Sequence, residues 1–372
     1  MFHKSIILAA LVAGRLCLPL PAQTTLKDAF HDSFHTGAAV GHAIYAGGDA
    51  AGAALVQAQF DTISPENDLK WERIHPTPDG FNFASADRYV EFGEKNHMFI
   101  VGHCLIWHSQ TPRWVFEDDK GQPVTREVLL GRMHDHIAAV VGRYRGRING
   151  WDVVNEALNE DGTMRQSRWQ RIIGDDFIAK AFEYAHAADP KAELYYNDYS
   201  LENEPKRKGG VELIRNLLAR GIPIAAVGLQ GHYHMDWPDP GTVDATIAAF
   251  QALGVKVNIT ELDLDVLPQV TRTHTADVSA TAEGGANANP YAAGLPTAVQ
   301  QALAERYAAL FAVFLKDRNA ITRVTFWGVT DGGSWLNNFP VRGRTNYPLL
   351  FDRAGKPKPA FDAVIGTART TR

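Results

Sequence analysis

Cysteine is scarce in this chain. Only Cys17 and Cys104 occur among 372 residues. Cys17 lies in an N-terminal segment that looks removable, so the mature chain keeps one thiol and has no intrachain disulfide. Cys104 sits in an apolar strand pattern between His103 and Leu105, which reads as packing rather than as a nucleophile. Long hydrophobic runs are equally rare. The apolar stretch Ile6–Val12, after His3 and Lys4, is too short to span a bilayer. Small residues and prolines follow it as far as Ala22, so residues 1–23 read as a secretory signal with cleavage near Ala22. The tripeptide Gly14-Arg15-Leu16 before Cys17 makes a poor lipoprotein site. The expected location is therefore the periplasm or the medium, and no membrane association is expected of the mature form.

A surplus of positive charge is absent too. Lys and Arg number 37 against 42 Asp and Glu, for a formal net charge of -5. Nucleic-acid binding draws on a basic face, so no nucleic-acid partner is expected. No Walker-type or dinucleotide loop occurs, since Gly47-Gly48 and Gly284-Gly285 lack the spacing. No cofactor is expected. His232-Tyr233-His234, with His103 and His108, offers the spacing of a candidate metal-binding pair. No supporting Asp, His and Lys cluster stands at matching strand ends, so no metal is expected.

What is present is alternation. Short β-rich runs separate amphipathic helical stretches, which implies βαβ units and a parallel sheet. The expected strands are Ala38–Tyr45, Gln59–Ile63, Phe99–Ile106, Ile148–Val154, Glu193–Tyr196, Ile224–Leu229, Lys256–Thr260 and Arg323–Phe326. Eight strands suffice to close an α/β (β/α)8 TIM barrel, a single domain over residues 24–372. Helices are expected at Arg126–Tyr144, Asp176–Ala188, Lys208–Arg220 and Thr297–Asp317. In the first, Val128, Leu129, Met133, Ile137 and Val140–Val141 should share a side. In the last, Val299, Leu303, Tyr307, Leu310 and Phe314 should. The Pro268–Pro296 connection is rich in Thr, Ala, Gly and Asn and has no helical period. It follows the seventh strand and falls on the catalytic face.

Active sites of such barrels lie at the C-terminal ends of the strands. Polar and aromatic residues gather there: Glu66-Asn67, His103, Trp107-His108, Asn155-Glu156, Asn197-Asp198-Tyr199, Gln230, His232, Glu261 and Trp327. Glu156 and Glu261 each end a buried run. A carboxylate pair suits glycosidic cleavage, one member protonating the leaving oxygen and the other supporting the anomeric carbon. A nucleophile must stay ionised, and a chain from Asp263 through His232 to Glu261 could keep it so. The acid needs less polar surroundings, for which Trp107 is a candidate. Trp107, Tyr199, Trp327 and Trp335 can stack on pyranose rings. Glu66, Asn67, Lys70, His103, Gln110 and Gln230 can bond their hydroxyls. Trp114 and Trp169 read as structural.

Six segments, in order, resemble glycoside hydrolase family ten, the xylanases, over Gly41 to Pro359. They are Glu66–Trp71, Gly102–Pro112, Trp151–Ala157, Gly228–His232, Ile259–Asp263, and Phe326–Asp331 with Ser334-Trp335. The resemblance implies a retaining endo-β-1,4-xylanase with Glu156 as acid/base and Glu261 as nucleophile. Asn155 would bind the 2-hydroxyl of the attacked sugar. Lys70, His103, Trp107, Gln230 and Trp327 would line that sugar's site, and Glu66 and Asn67 would hold the next. Trp335 would close the cleft against hydroxymethyl groups. Cys104 departs from the family's more usual Thr. Gly332-Gly333 and Leu336 flank Trp335 where charged residues are common. The implied partners are xylan and xylo-oligosaccharides, taken by a monomer. A mixed β-1,4-glucanase/xylanase and a non-catalytic xylan-binding protein remain as alternatives.

Overall fold

The computed structural model describes residues 24–270, 281–282, 284 and 287–370. The expected signal segment and much of the Pro268–Pro296 connection lie outside the described residues. Nine parallel strand segments form the sheet: β1 (His35–Val40), β2 (Thr62–Pro65), β3 (Phe99–Trp107), β4 (Gly150–Asn155), β5 (Glu193–Asp198), β6 (Ala226–Leu229), β7 (His232–His234), β8 (Lys256–Asp265) and β9 (Ile321–Phe326). Each pairs with its successor except β6, which pairs with β8 rather than β7, and β9 pairs back to β1, so among the described residues the sheet closes on itself. Both β6 and β7 pair with β8, the first at Lys256–Ile259 and the second at Asp263–Asp265. They are one barrel stave interrupted at Gln230-Gly231, so nine segments make eight staves. Gly231 has φ +82°, where a side chain would be strained and would press on Ile259. The interruption turns Gln230 and His232 toward the mouth.

The first two expected strands need correction. β1 stops at Val40 and His42–Tyr45 is helical, while β2 starts at Thr62 because Gln59 ends the helix Ala50–Gln59. The apolar runs alone could not separate a strand from a short buried helix. The expected helices are found at Arg126–Arg143, Phe177–Ala188, Glu204–Ala219 and Thr297–Lys316. Val128 does not share the core side of the first: it is 43% exposed while Leu129, Met133, Ile137, Val140 and Val141 are buried. One step around a helix is about 100°, enough to carry Val128 past the rim of the apolar stripe. Thr125 caps this helix through its hydroxyl, which accepts from the Val128 N–H. Thr297–Lys316 buries Leu303, Tyr307, Leu310 and Phe314 as expected, with Val299 half-buried. Gly102 is required by close approach, since a Cβ there would lie 2.1 Å from the Trp151 ring.

Candidate active site

The mouth of the barrel opens into a cleft of about 1150 Å³. Its lining includes Glu66, Asn67, Lys70, His103, Trp107, Gln110, Asn155, Glu156, Tyr199, Gln230, His232, Glu261, Asp263, Trp327 and Trp335, so the sequence-derived candidates converge on one place. Both glutamates are buried, Glu156 at 7% and Glu261 at 5% exposure. Glu156 directly follows β4 and Glu261 lies within β8; both line the cleft, yet their surroundings differ.

Along β8 successive side chains alternate, so Glu261, Asp263 and Asp265 face one way and Leu262 and Leu264 the other. His232, on β7, lies between the first two acids. Its Nδ1 is 3.0 Å from Asp263 Oδ1 and its Nε2 is 3.2 Å from Glu261 Oε2. Burial pulls the imidazolium down, but Asp263 and Glu261 outweigh it and carry the pKa up to about 10. His232 is therefore a cation at neutral pH and donates to both acids. Burial pushes the Glu261 carboxyl up, but the His232 bond, the nearby His103 and the Asn197 amide hold it below the usual carboxylate range. Asn197 Nδ2 donates to Glu261 Oε1 at 2.8 Å. The expected chain from Asp263 through His232 to Glu261 is thus present.

Glu156 meets neutral donors instead. Trp107 Nε1 donates to Oε2 at 2.9 Å, and Gln230 Nε2 and Asn155 Nδ2 donate to Oε1 at 3.0 and 3.3 Å. Trp107 thus offers an N–H as well as apolar cover. Glu156 has φ +57°. That conformation costs a non-glycine residue on the order of 1 kcal/mol, and its neighbours must hold it there. The Glu156 N–H donates to Asn197 O at 2.9 Å, and Glu156 O accepts from Arg165 Nε at 3.0 Å.

Amide bonds run from one glutamate to the other. Asn197 Nδ2 also donates to Asn155 Oδ1 at 2.9 Å, which accepts from Gln230 Nε2 at 3.3 Å. Lys70, buried, donates to Gln110 Oε1 at 2.9 Å and Asn67 Oδ1 at 3.2 Å. The Gln110 amide is thereby committed, since its Nε2 donates to Glu72 at 3.0 Å. It orients Lys70, which narrows its expected part in sugar binding. Burial pushes the half-buried Glu66 carboxyl up to about 7 against the pull of Lys70. His103 Nδ1 bonds Asp152 Oδ2 at 3.0 Å, below the edge of Trp327. Trp335 donates to Asp263 Oδ2 at 2.8 Å and stacks on Phe339 with ring centroids 4.8 Å apart. Trp169 is buried and bonds Trp107 O at 2.9 Å, a structural role as expected. Trp114 likewise bonds Pro76 O at 3.0 Å.

Sequence reasoning placed Asn197 in the ring but gave it no task. Its only signal was its position at the end of β5, the strand after the one that carries Asn155. Arg165 and Trp237, which also line the cleft, lie in the loops after β4 and β7, away from any strand end, and gave no periodic signal.

Chemistry at an anomeric carbon is what an ionised carboxylate facing a differently solvated one can perform. Fold and cleft together define a barrel enzyme of the glycosidase class. The class narrows once the chain is set beside known proteins. The sequence model described as Glycosyl hydrolase family 10 matches residues 25–367, and the chain belongs to this family. It is 44% identical over 357 residues to endo-1,4-beta-xylanase A of Xylanibacter ruminicola, covering 95% of this chain and 96% of that protein. A solved endoxylanase of the family, retrieved from a sugarcane soil metagenome, superposes with a TM-score of 0.88 at 46% identity, over 93% of this chain and all of that one. A mutant protein solved in complex with xylotriose superposes at 0.82 with 36% identity, over 92% of this chain and 99% of its own.

Proposed function

We propose that this protein is an endo-β-1,4-xylanase that hydrolyses internal xylosidic bonds by double displacement with retention. The observation that carries the reading is the contrast between two buried glutamates. Glu261 is kept anionic by a cationic His232, and Glu156 is held by neutral donors across the same cleft. In the first step a Glu261 oxygen attacks the anomeric carbon. The bond to the leaving oxygen breaks as Glu156 gives that oxygen its proton. In the second, Glu156, now a carboxylate, takes a proton from water, whose oxygen attacks the same carbon and releases Glu261. The Asn155 amide, tied to both glutamates, is suited to the 2-hydroxyl of the attacked sugar. Trp335, fixed to Asp263 at the cleft, is the residue we assign to excluding a hydroxymethyl group, which would favour xylose over glucose. The cleft continues past the carboxylates on both sides, toward Glu66 and Asn67 and toward Tyr199 and Trp237, as internal cleavage of a polymer requires. The names of the xylanase relatives support the same substrate.

Glucuronoxylan and carboxymethyl-cellulose, offered separately, test the substrate. Mixed xylo-oligosaccharides should appear early, with little release from cellulose. Comparable rates on cellulose would leave a mixed glucanase/xylanase, and no turnover would leave a binding protein. Proton NMR of the first product settles the stereochemistry: the β-anomer must form first, and an initial α-anomer would refute double displacement. We further propose that residues 1–23 direct export and that the mature enzyme acts as a monomer. Intact mass of the exported protein and its sedimentation in solution test these two points.

A further inference from the structure

On the leaving-group side, one cation lines the cleft and a second lies buried behind its wall, and the reaction scheme uses neither. Lys206, in the first turn of the helix Glu204–Ala219, has no exposed side-chain surface. Its Nζ lies 3.0 Å from Asp198 Oδ1 and 3.3 Å from the centroid of the Tyr199 ring. Asp198 also accepts from the Tyr196 hydroxyl at 2.6 Å, the Tyr199 N–H at 2.9 Å and the Leu158 N–H at 3.3 Å. The second cation is Arg165, in the loop after β4. One arm, Nη2, donates to Leu158 O at 2.9 Å and to the Tyr199 hydroxyl at 3.0 Å, while Nε donates to Glu156 O at 3.0 Å.

One guanidinium therefore joins the backbone of the acid/base residue to the aromatic wall of the leaving-group site. Glu156 needs such support because its left-handed backbone is not self-sustaining. Arg can give it because its planar fork presents several fixed donors at once. Tyr199 is pinned twice, by Lys206 against its ring and by Arg165 at its hydroxyl. The loop between is clipped down: a Cβ on Gly162 would lie 2.3 Å from Pro205 O, at the start of the Lys206 helix.

We propose that Arg165 is a positioning residue for the general acid, aiming the Glu156 carboxyl at the leaving oxygen and anchoring it through Tyr199 to Lys206. The proposal rests on the glycosidase reading above. It makes proton delivery, rather than attack by Glu261, the step that Arg165 governs. A substrate whose leaving group needs no proton should be indifferent to it.

The test compares phenyl and 2,4-dinitrophenyl β-xylobiosides, which match in glycone and nearly in size but differ in their need for protonation. For Arg165→Met, kcat/KM on the phenyl substrate should fall about 10²-fold and on the dinitrophenyl substrate by no more than about threefold. Tyr199→Phe keeps the ring and removes the acceptor, and it should show the same split at smaller size. Arg165→Lys keeps the charge without the fork and should restore only part of the phenyl activity. Equal losses on the two substrates, or full rescue by Lys, would overturn the proposal. Should Arg165→Met fail to fold, the Tyr199→Phe and Arg165→Lys splits decide it. A wild type that cleaves neither substrate refutes the glycosidase reading itself. A wild type that cleaves both, with no split among the variants, refutes only the positioning role.

Discussion

Glu261, within β8, and Glu156, just past the end of β4, are equally buried at the mouth of one barrel, yet they are solvated in opposite ways. Glu261 belongs to an ionic array: imidazolium, second carboxylate, indole and amide. Glu156 is hydrogen-bonded by an indole and two amides, none of them charged, with the His108 imidazole 4.0 Å from its Oε2. The strands differ to match. β8 supplies both Glu261 and Asp263 from one extended strand, whereas Glu156 lies just past β4 in a left-handed turn. A fixed charge can be stabilised by a rigid ladder. A group that must give up and regain a proton is held by neutral contacts and by a backbone bent to aim it. The same residue type does two jobs because its neighbours differ, not because its burial does.

The most direct way to break this contrast is to remove each glutamate. Glu261→Ala should lower kcat on every substrate, on the order of 10⁵-fold, because nothing replaces a nucleophile. Glu156→Ala should lower kcat/KM by about 10²- to 10⁴-fold on xylo-oligosaccharides and far less on a dinitrophenyl xylobioside, which needs no proton. Initial-rate kinetics on both substrate types check the pair, and identical profiles would erase the distinction.

The next effect sits on the link between them. Asn197→Ala strands one oxygen of Glu261 in a dry site and unties Asn155. It should destabilise the fold by about 1–3 kcal/mol in urea titration and lower kcat as well. An unchanged kcat would mean that the amide chain only packs.

The third effect concerns pH. His232 is raised from 6.5 to about 10, so its contribution to stability is complete below 6.5 and is lost as the pH climbs through about 10. Glu261 is lowered from 4.5, so its contribution is complete above 4.5 and is lost as the pH falls through its lowered value. The pair therefore stabilises most between those two reference values. His232→Asn should remove the alkaline loss and move the acid limb of kcat/KM upward, as Glu261 loses its cation. A pH–rate profile checks this, and an unmoved acid limb would assign it to another group. The smallest effect lies on neither side. Cys104→Ala removes a buried thiol and should lower stability by about 1 kcal/mol by thermal melt, with kcat unchanged.

Much of this site was legible before any coordinates. Strand ends betray themselves where an apolar run meets a polar residue, so Glu156, Glu261 and the Asp263–His232 chain could be read from spacing. The short helix His42–Tyr45 could not, because four residues carry no period. The break that splits one stave into β6 and β7 was hidden as well, since Gln230-Gly231 reads simply as the end of a strand. Gln110 was recognised as a member of the cleft but not as the orienter of Lys70. A side chain's partner across the barrel depends on register, which only the closed sheet defines. Arg165 was invisible for the same reason, its three acceptors being brought together by the loop after β4.

The ten-residue length of β8 has a consequence for how this gene can change. Glu261, Asp263 and Asp265 share a face because they are two residues apart. One codon inserted between Lys256 and Thr260 would turn all three acids toward the surrounding helices and bring Leu262 and Leu264 into the cleft. No single later substitution could reverse that. Length can therefore drift only downstream of Asp265, in the connection that begins at Pro268, while the strand before it is closed to insertion and deletion.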